Sequence, residues 1–129
     1  MLSLSLPGRV FLCTLPTDMR KSFDTLAGLV QTALGQDPLS GDLFVFRSRR
    51  GDRVKLLYWD QDGLAIWYKR LEKGSFVLPA ADGKRGQVGE HGLVLRPAEL
   101  AMLLDGVDLA SVKRQQRYQR PQTPVGSDN

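Results

Sequence analysis

Residues 47–74, RSRRGDRVKLLYWDQDGLAIWYKRLEKG, hold eight of the eighteen Lys and Arg residues, both tryptophans and two of the three tyrosines. Cations neutralise phosphates and aromatic rings stack on unpaired bases, so this interleaving is what a nucleic-acid surface needs. The candidate phosphate contacts are Arg49, Arg50, Arg53, Lys55, Lys69 and Arg70, and the candidate stacking ring is Trp59 or Trp67. Four further cations, Lys113, Arg114, Arg117 and Arg120, surround Tyr118 with no acid among them. The competing expectation is that the rings fill a core and the cations are solvated sheet edges, where charge suppresses edge-to-edge association.

Other chemistries find less support. Asp60 and Asp62 could hold a divalent metal, but carboxylates beside Gly63 are ordinary turn residues. A nuclease gathers two or three acids around metal ions, and nothing in the spacing of Asp18, Asp24, Asp60 and Asp108 marks them as a set. His91, the single histidine, has no second His, acid or Cys at ligand spacing and reads as a loop residue. Neither a Walker-type nor a dinucleotide phosphate loop occurs, nor a nucleophile elbow. Cys13, the one cysteine, forms no intrachain disulfide and reads as a small apolar residue in a buried strand, so the cytoplasm is the expected compartment. The opening residues lack the charged start of a secretory signal, and no apolar run has the length of a membrane span. With 129 residues, 42% of them hydrophobic and 25% charged, the chain reads as one globular domain over 1–112 and a basic tail over 113–129. Its net charge of +4 and pI near 9.5 favour a polyanionic partner.

The elements that must position these residues follow from periodicity. Arg9–Thr14 reads as a short strand between Pro7-Gly8 and Pro16. Phe23, Leu26, Ala27, Val30, Ala33 and Leu34 recur at helical spacing and predict a long helix over Asp18–Leu34, capped by Thr17 or Asp18 and ended by Gly35. Arg20 and Lys21 then fall in its first turn, where cations are disfavoured by the helix dipole but would suit a bound phosphate. The bland alternative is that Asp18 and Asp24 offset them. Strands over Leu43–Arg47, Val54–Trp59 and Leu64–Leu71 form a meander whose second turn is Asp60-Gln61-Asp62-Gly63. Alternation sets Lys55, Leu57 and Trp59 on one face of the second strand and Val54, Leu56 and Tyr58 on the other. Phe76–Leu78 reads as a short edge segment, Ala80–Gly92 as a surface loop and Leu93–Arg96 as a last strand. Pro97 opens a short helix that Gly106 ends, and Asp108 caps a further turn through Leu109 and Val112. The expected class is α+β: an antiparallel sheet of four to five strands, one long helix packed on it and a short C-terminal helix.

Four stretches read together carry a family resemblance: TDMRK at 17–21, DPLSGDLFVF at 37–46, RVKLLYWD at 53–60 and YKRLEKG at 68–74. In this order they resemble the TnpB, or Orf2-like, accessory proteins of IS-66 type bacterial insertion sequences, which are distinct from the RNA-guided nuclease that shares the TnpB label. The match covers about residues 9–108. Ser22 stands where that family usually has glycine, and Leu78 precedes Pro79 where an aromatic is common. The resemblance implies a protein encoded beside a separate transposase and needed for efficient movement of the element; no cofactor is expected. By the motifs it adds Arg20 and Lys21 to Arg53, Lys55, Lys69 and Arg70 as functional cations. The leading expectation is a non-catalytic factor that binds DNA at the element ends. The alternative is an adaptor for the transposase or another accessory protein, and a nuclease acting on the strands is a third reading.

Overall fold

The computed structural model describes residues 8–79, 86–108 and 113–114. Val10–Cys13 (β1) is buried at all four positions, a pattern that requires a strand covered on both faces. The same holds for Leu43–Phe46 within β2 (Leu43–Arg47) and for Val54–Leu57 within β3 (Arg53–Asp60). The remaining elements are α1 (Phe23–Thr32), β4 (Gly63–Arg70), β5 (Gln87–Val88), β6 (Gly92–Leu95), α2 (Pro97–Asp105), β7 (Val107–Asp108) and β8 (Lys113–Arg114).

Six strands form one sheet in the order β4-β3-β2-β1-β6-β5, with β7 and β8 as a separate ladder. The fold is α+β, but the sheet is mixed, because β1 and β2 run parallel, with Phe11 beside Phe44. Parallel neighbours need a crossover connection, which α1 supplies. The expected antiparallel sheet is corrected on that point, and its strand number rises to six. Every other neighbouring pair is antiparallel, including the expected β2-β3-β4 meander.

Alternation along the central strands divides the core into two layers. Phe11, Cys13, Phe44, Phe46 and Leu57 pack with Leu26, Val30 and Leu34 on the α1 side. Val10, Leu12, Leu43, Val45, Val54, Leu56 and Leu95 pack with Phe76, Leu100 and Leu103 on the α2 side. The rings of Phe11 and Phe44 stack 5.7 Å apart between the sheet and α1.

The first helix is ten residues, shorter than expected, and it starts at Phe23 instead of Asp18. The preceding backbone is committed elsewhere. Lys21 N–H donates to Asp18 O at 3.0 Å, and the Arg20 N–H donates to Asp18 Oδ1 at 2.9 Å. The Met19 and Lys21 carbonyls, which a longer helix would give to residues 23 and 25, accept instead from the Lys55 ammonium. Ser22 caps the helix, its N–H donating to Thr25 Oγ1 at 2.8 Å. At the other end Gly35 takes φ +61° and Gln36 N–H bonds Val30 O at 3.0 Å.

Three further readings change. Phe76 is no edge residue: residues 71–79 form no strand, and Phe76 is fully buried on the α2 side. Gln87–Val88, read as loop, pairs with β6. Asp108 caps no helical turn, since Val107–Asp108 pairs with Lys113–Arg114. Residues 80–85, Leu109, Val112 and the tail beyond 114 lie outside the described residues. Pro97 and Gly106 do bound α2, with Gly106 at φ +84°. Among the described residues no helix is long and apolar enough to cross a membrane.

Phe44→Ala should cost about 3–5 kcal/mol, because it empties a fully buried ring site between two layers that cannot both collapse. Urea unfolding checks this, and a loss below about 1 kcal/mol would contradict the packing.

Candidate nucleic-acid interface

The backbone of the β2–β3 turn is fixed by hydrogen bonds within it and to the neighbouring chain. Ser48 N–H donates to Arg53 O at 2.9 Å, Gly51 N–H to Ser48 O at 3.0 Å, and Arg53 N–H to Ser48 Oγ at 3.1 Å. Gly51 sits at φ +82°, and a Cβ there would collide with the Arg47 guanidinium. Arg47 Nε donates to Phe76 O at 2.6 Å, and Phe76 N–H donates to Gly51 O at 2.7 Å. Burial pushes the Arg47 pKa down from its usual value. Arg47 therefore anchors the turn, and Arg49 and Arg50 stand exposed at its tip.

Because β1 and β2 are parallel, the chain leaving β1 emerges beside the end of β2. Thr17 N–H donates to Arg47 O at 2.9 Å, which docks the 15–22 segment against the β2–β3 turn. The result is an open cleft of about 880 Å³ whose lining includes Arg20, Lys21, Arg49, Arg50, Arg53 and Tyr68. Its two carboxylates are both engaged. Asp18 forms a bidentate pair with Arg20, at 2.6 Å for the shortest contact, and Asp52 accepts from Ser48 Oγ at 3.3 Å. Among the described residues no carboxylate forms a salt bridge with Lys21, Arg49, Arg50 or Arg53. Arg53 also lies directly across the ladder from Arg70, a like-charge pair that an anion would relieve. Arg70 meanwhile pairs with Glu72 at 3.2 Å.

Lys55 occupies the floor of this arrangement. It is only 8% exposed, and its Nζ donates to Met19 O at 2.8 Å and Lys21 O at 2.7 Å. The ammonium also lies 4.7 Å from the centre of the Tyr68 ring. These bonds turn the ammonium toward the segment before α1, and Lys55, which is not itself among the cleft's lining residues, positions those that are. Buried charge is tolerated only when so satisfied.

The structure separates the other sequence candidates. Lys69 and Trp67 lie on the α2 face, where Trp67 is half-buried against the core. Trp59 lies on the α1 face but pairs with Leu64, about 14 Å along the strand from Tyr68 at 3.4 Å per residue. Neither tryptophan reaches the cleft. The ring that does is Tyr68, 47% exposed, whose OH accepts from Arg53 Nη1 at 3.4 Å. Its place opposite Lys55 follows from the register of the Asp60–Gly63 turn, which the sequence alone left open.

The remaining acids and the thiol stand apart. Asp60 and Asp62 are exposed at the opposite end of the β3–β4 hairpin, and no three His, Cys, Asp or Glu side chains among the described residues gather as a metal site. His91 lies in the β5–β6 turn, 3.4 Å from Glu90. Cys13 is buried, which pushes its thiol pKa up.

The Arg20 side chain and N–H hold the Asp18 carboxyl down to a pKa of about 2. The folded pKa lies below the unfolded one, so this contribution is complete above about pH 4 and is lost as pH falls through about 2. A carboxyl-carbon NMR titration should show that midpoint, and Arg20→Ala should move it back toward the ordinary aspartate value. Lys55→Met leaves the part-buried Met19 and Lys21 carbonyls without their donor and should cost about 1–3 kcal/mol in urea unfolding. Its amide shifts should change at residues 18–22; unchanged shifts there would refute the positioning role.

Comparison with known proteins places the chain in a family. The chain is 39% identical over 106 residues to the uncharacterized protein y4jC of Sinorhizobium fredii, covering 82% of this chain and 85% of that protein. It is 42% identical over 100 residues to y4hO of the same organism, covering 78% of this chain and 81% of the relative. No solved structure matches significantly. The family model described as IS66 Orf2-like protein matches residues 8–114, which span both core layers and every residue of the cleft, and the chain therefore belongs to the IS66 Orf2-like proteins of insertion sequences.

Proposed function

We propose that this chain is a non-catalytic accessory protein of insertion-sequence transposition that binds DNA, at the element ends, through the basic cleft. The observation that carries the reading is convergence. Arg20 and Lys21 come from the β1–α1 connection, Arg49, Arg50 and Arg53 from the β2–β3 turn and the start of β3, and Tyr68 from β4, yet all line one open cleft. Cations spread along a chain for solubility have no reason to gather around an exposed ring.

The chemistry favours backbone recognition. Arginine forks bond phosphate oxygens in pairs, and Lys21 adds a point charge. Neither helix is set as a reading element: α1 has its apolar face in the core, and the cations precede its first turn. Tyr68 offers a stacking platform to an unpaired base, as frayed or nicked ends would present. Lys69 adds a cation outside the cleft. The adaptor reading draws on the opposite face, where Tyr58 and Trp67 are half-buried against the α2 layer. It expects an aromatic hot spot and weak salt dependence.

Binding to labelled element-end DNA, single and double stranded, across a salt series with random competitor separates the two readings. Affinity should fall steeply with salt, and the folded Arg49→Ala, Arg50→Ala, Arg53→Ala triple variant should flatten the log–log slope by about 0.9 for each phosphate it no longer neutralises. Tyr68→Ala should weaken single-strand binding by about 1–3 kcal/mol and duplex binding less. Absence of binding at low salt would end the DNA reading and direct attention to the transposase.

A further inference from the structure

β4 closes one edge of the six-stranded sheet, whereas β5 at the opposite edge is only two residues long. An edge strand exposes unpaired N–H and C=O groups that template pairing with another chain, and proteins blunt such edges with charge, proline or brevity. β4 has none of these over the six residues Gly63–Tyr68, GLAIWY, and its cations come only at the end, Lys69 and Arg70. Among the described residues no other segment bonds its outer backbone.

Register dictates how a partner strand would sit. Asp60 and Gly63 pair across a two-residue loop, so they form a hydrogen-bonded pair, since no residues lie beyond them to carry flanking bonds. The ladder alternates from there, and Leu64, Ile66, Tyr68 and Arg70 turn their backbone groups away from β3. An antiparallel copy of β4 must match these residues with its own, which requires a centre on a residue and excludes a centre between two residues. A centre at Ile66 uses the whole strand. It sets Ile66 against Ile66, Leu64 against Tyr68, Ala65 against Trp67, and Asp62 against Arg70 at both ends.

We propose that β4 pairs antiparallel with β4 of a second copy of this chain about Ile66, joining the two sheets into one of twelve strands, six from each copy. Charge complementarity commits the surface to that occupant. Asp62 is exposed with no cation partner among the described residues, and Arg70, also exposed, has guanidinium donors to spare beyond its bond to Glu72. Every other cross-strand pair in this register is apolar or aromatic, apart from Gly63 with Lys69. The two-fold axis stands perpendicular to the sheet, so the two Tyr68 side chains keep to one face and both basic clefts open on the same side. The pairing rests on strand register and not on DNA binding.

Sedimentation equilibrium of the full chain without nucleic acid tests the proposal. The expected species has twice the 14.4 kDa chain mass. Asp62→Arg and Arg70→Asp, each shown to be folded by circular dichroism, should each weaken the dimer about tenfold or more, since each places two like-charge pairs at the junction. The double variant should recover most of the loss. A monomer across the accessible concentration range, single reversals without effect, or a double variant no better than its parents would each overturn it. Because the readout involves no DNA, these outcomes leave the cleft proposal to its own salt series.

Discussion

The parallel alignment of β1 and β2 is the constraint from which the rest of this protein follows. Two strands side by side and pointing the same way cannot be joined by a turn, so residues 14–42 must cross the sheet, and α1 is the crossing element. Both strands are then covered on both faces, which is why Val10–Cys13 and Leu43–Phe46 carry apolar side chains at every position. The same alignment brings the start of the crossover beside the end of β2. Thr17 bonds Arg47 there, and the cations that follow Thr17 meet the cations that follow Arg47. The basic cleft is thus a consequence of strand direction.

Lys55 converts that proximity into a defined surface. An ammonium removed from water needs its donors satisfied, and it finds them in the carbonyls of Met19 and Lys21 and the ring of Tyr68. One side chain therefore ties β3, β4 and the segment before α1 together. It also shortens the helix, because carbonyls held by Lys55 are no longer free for the i to i+4 ladder. The Asp18–Arg20 pair and the Asp18 turn stabilise the same local conformation from outside.

The two edges of the sheet differ in length and in charge. β5 is short and β4 is long, uncharged over most of its length and flanked by an acid before it and cations at its end. The proposed edge pairing and the proposed cleft binding would draw on separate parts of the same hairpin: backbone groups in the plane of the sheet for one, side chains above it for the other. A pair of copies joined at β4 would offer a polyanion two clefts in a two-fold arrangement without further change in either chain.

Local signals determined a good deal by themselves. Turn signals and period-two alternation gave the β2-β3-β4 meander and the residues that share a face within each strand, while which faces meet across strands waited on the register of the Asp60–Gly63 turn. Pro97 and Gly106 bounded α2 through backbone chemistry that needs no partner, and the four motifs pointed to the family that the comparisons show. What the sequence could not show was anything requiring two distant segments at once. The direction of β1 relative to β2 depends on which edges meet, and an apolar run reads the same in either direction. The role of Lys55 was hidden for the same reason: a lysine in a strand is a surface cation until the carbonyls of Met19 and Lys21, more than thirty residues away, close over it. Choosing Tyr68 over the tryptophans likewise took tertiary structure, since it turns on which rings the helices and the core leave uncovered.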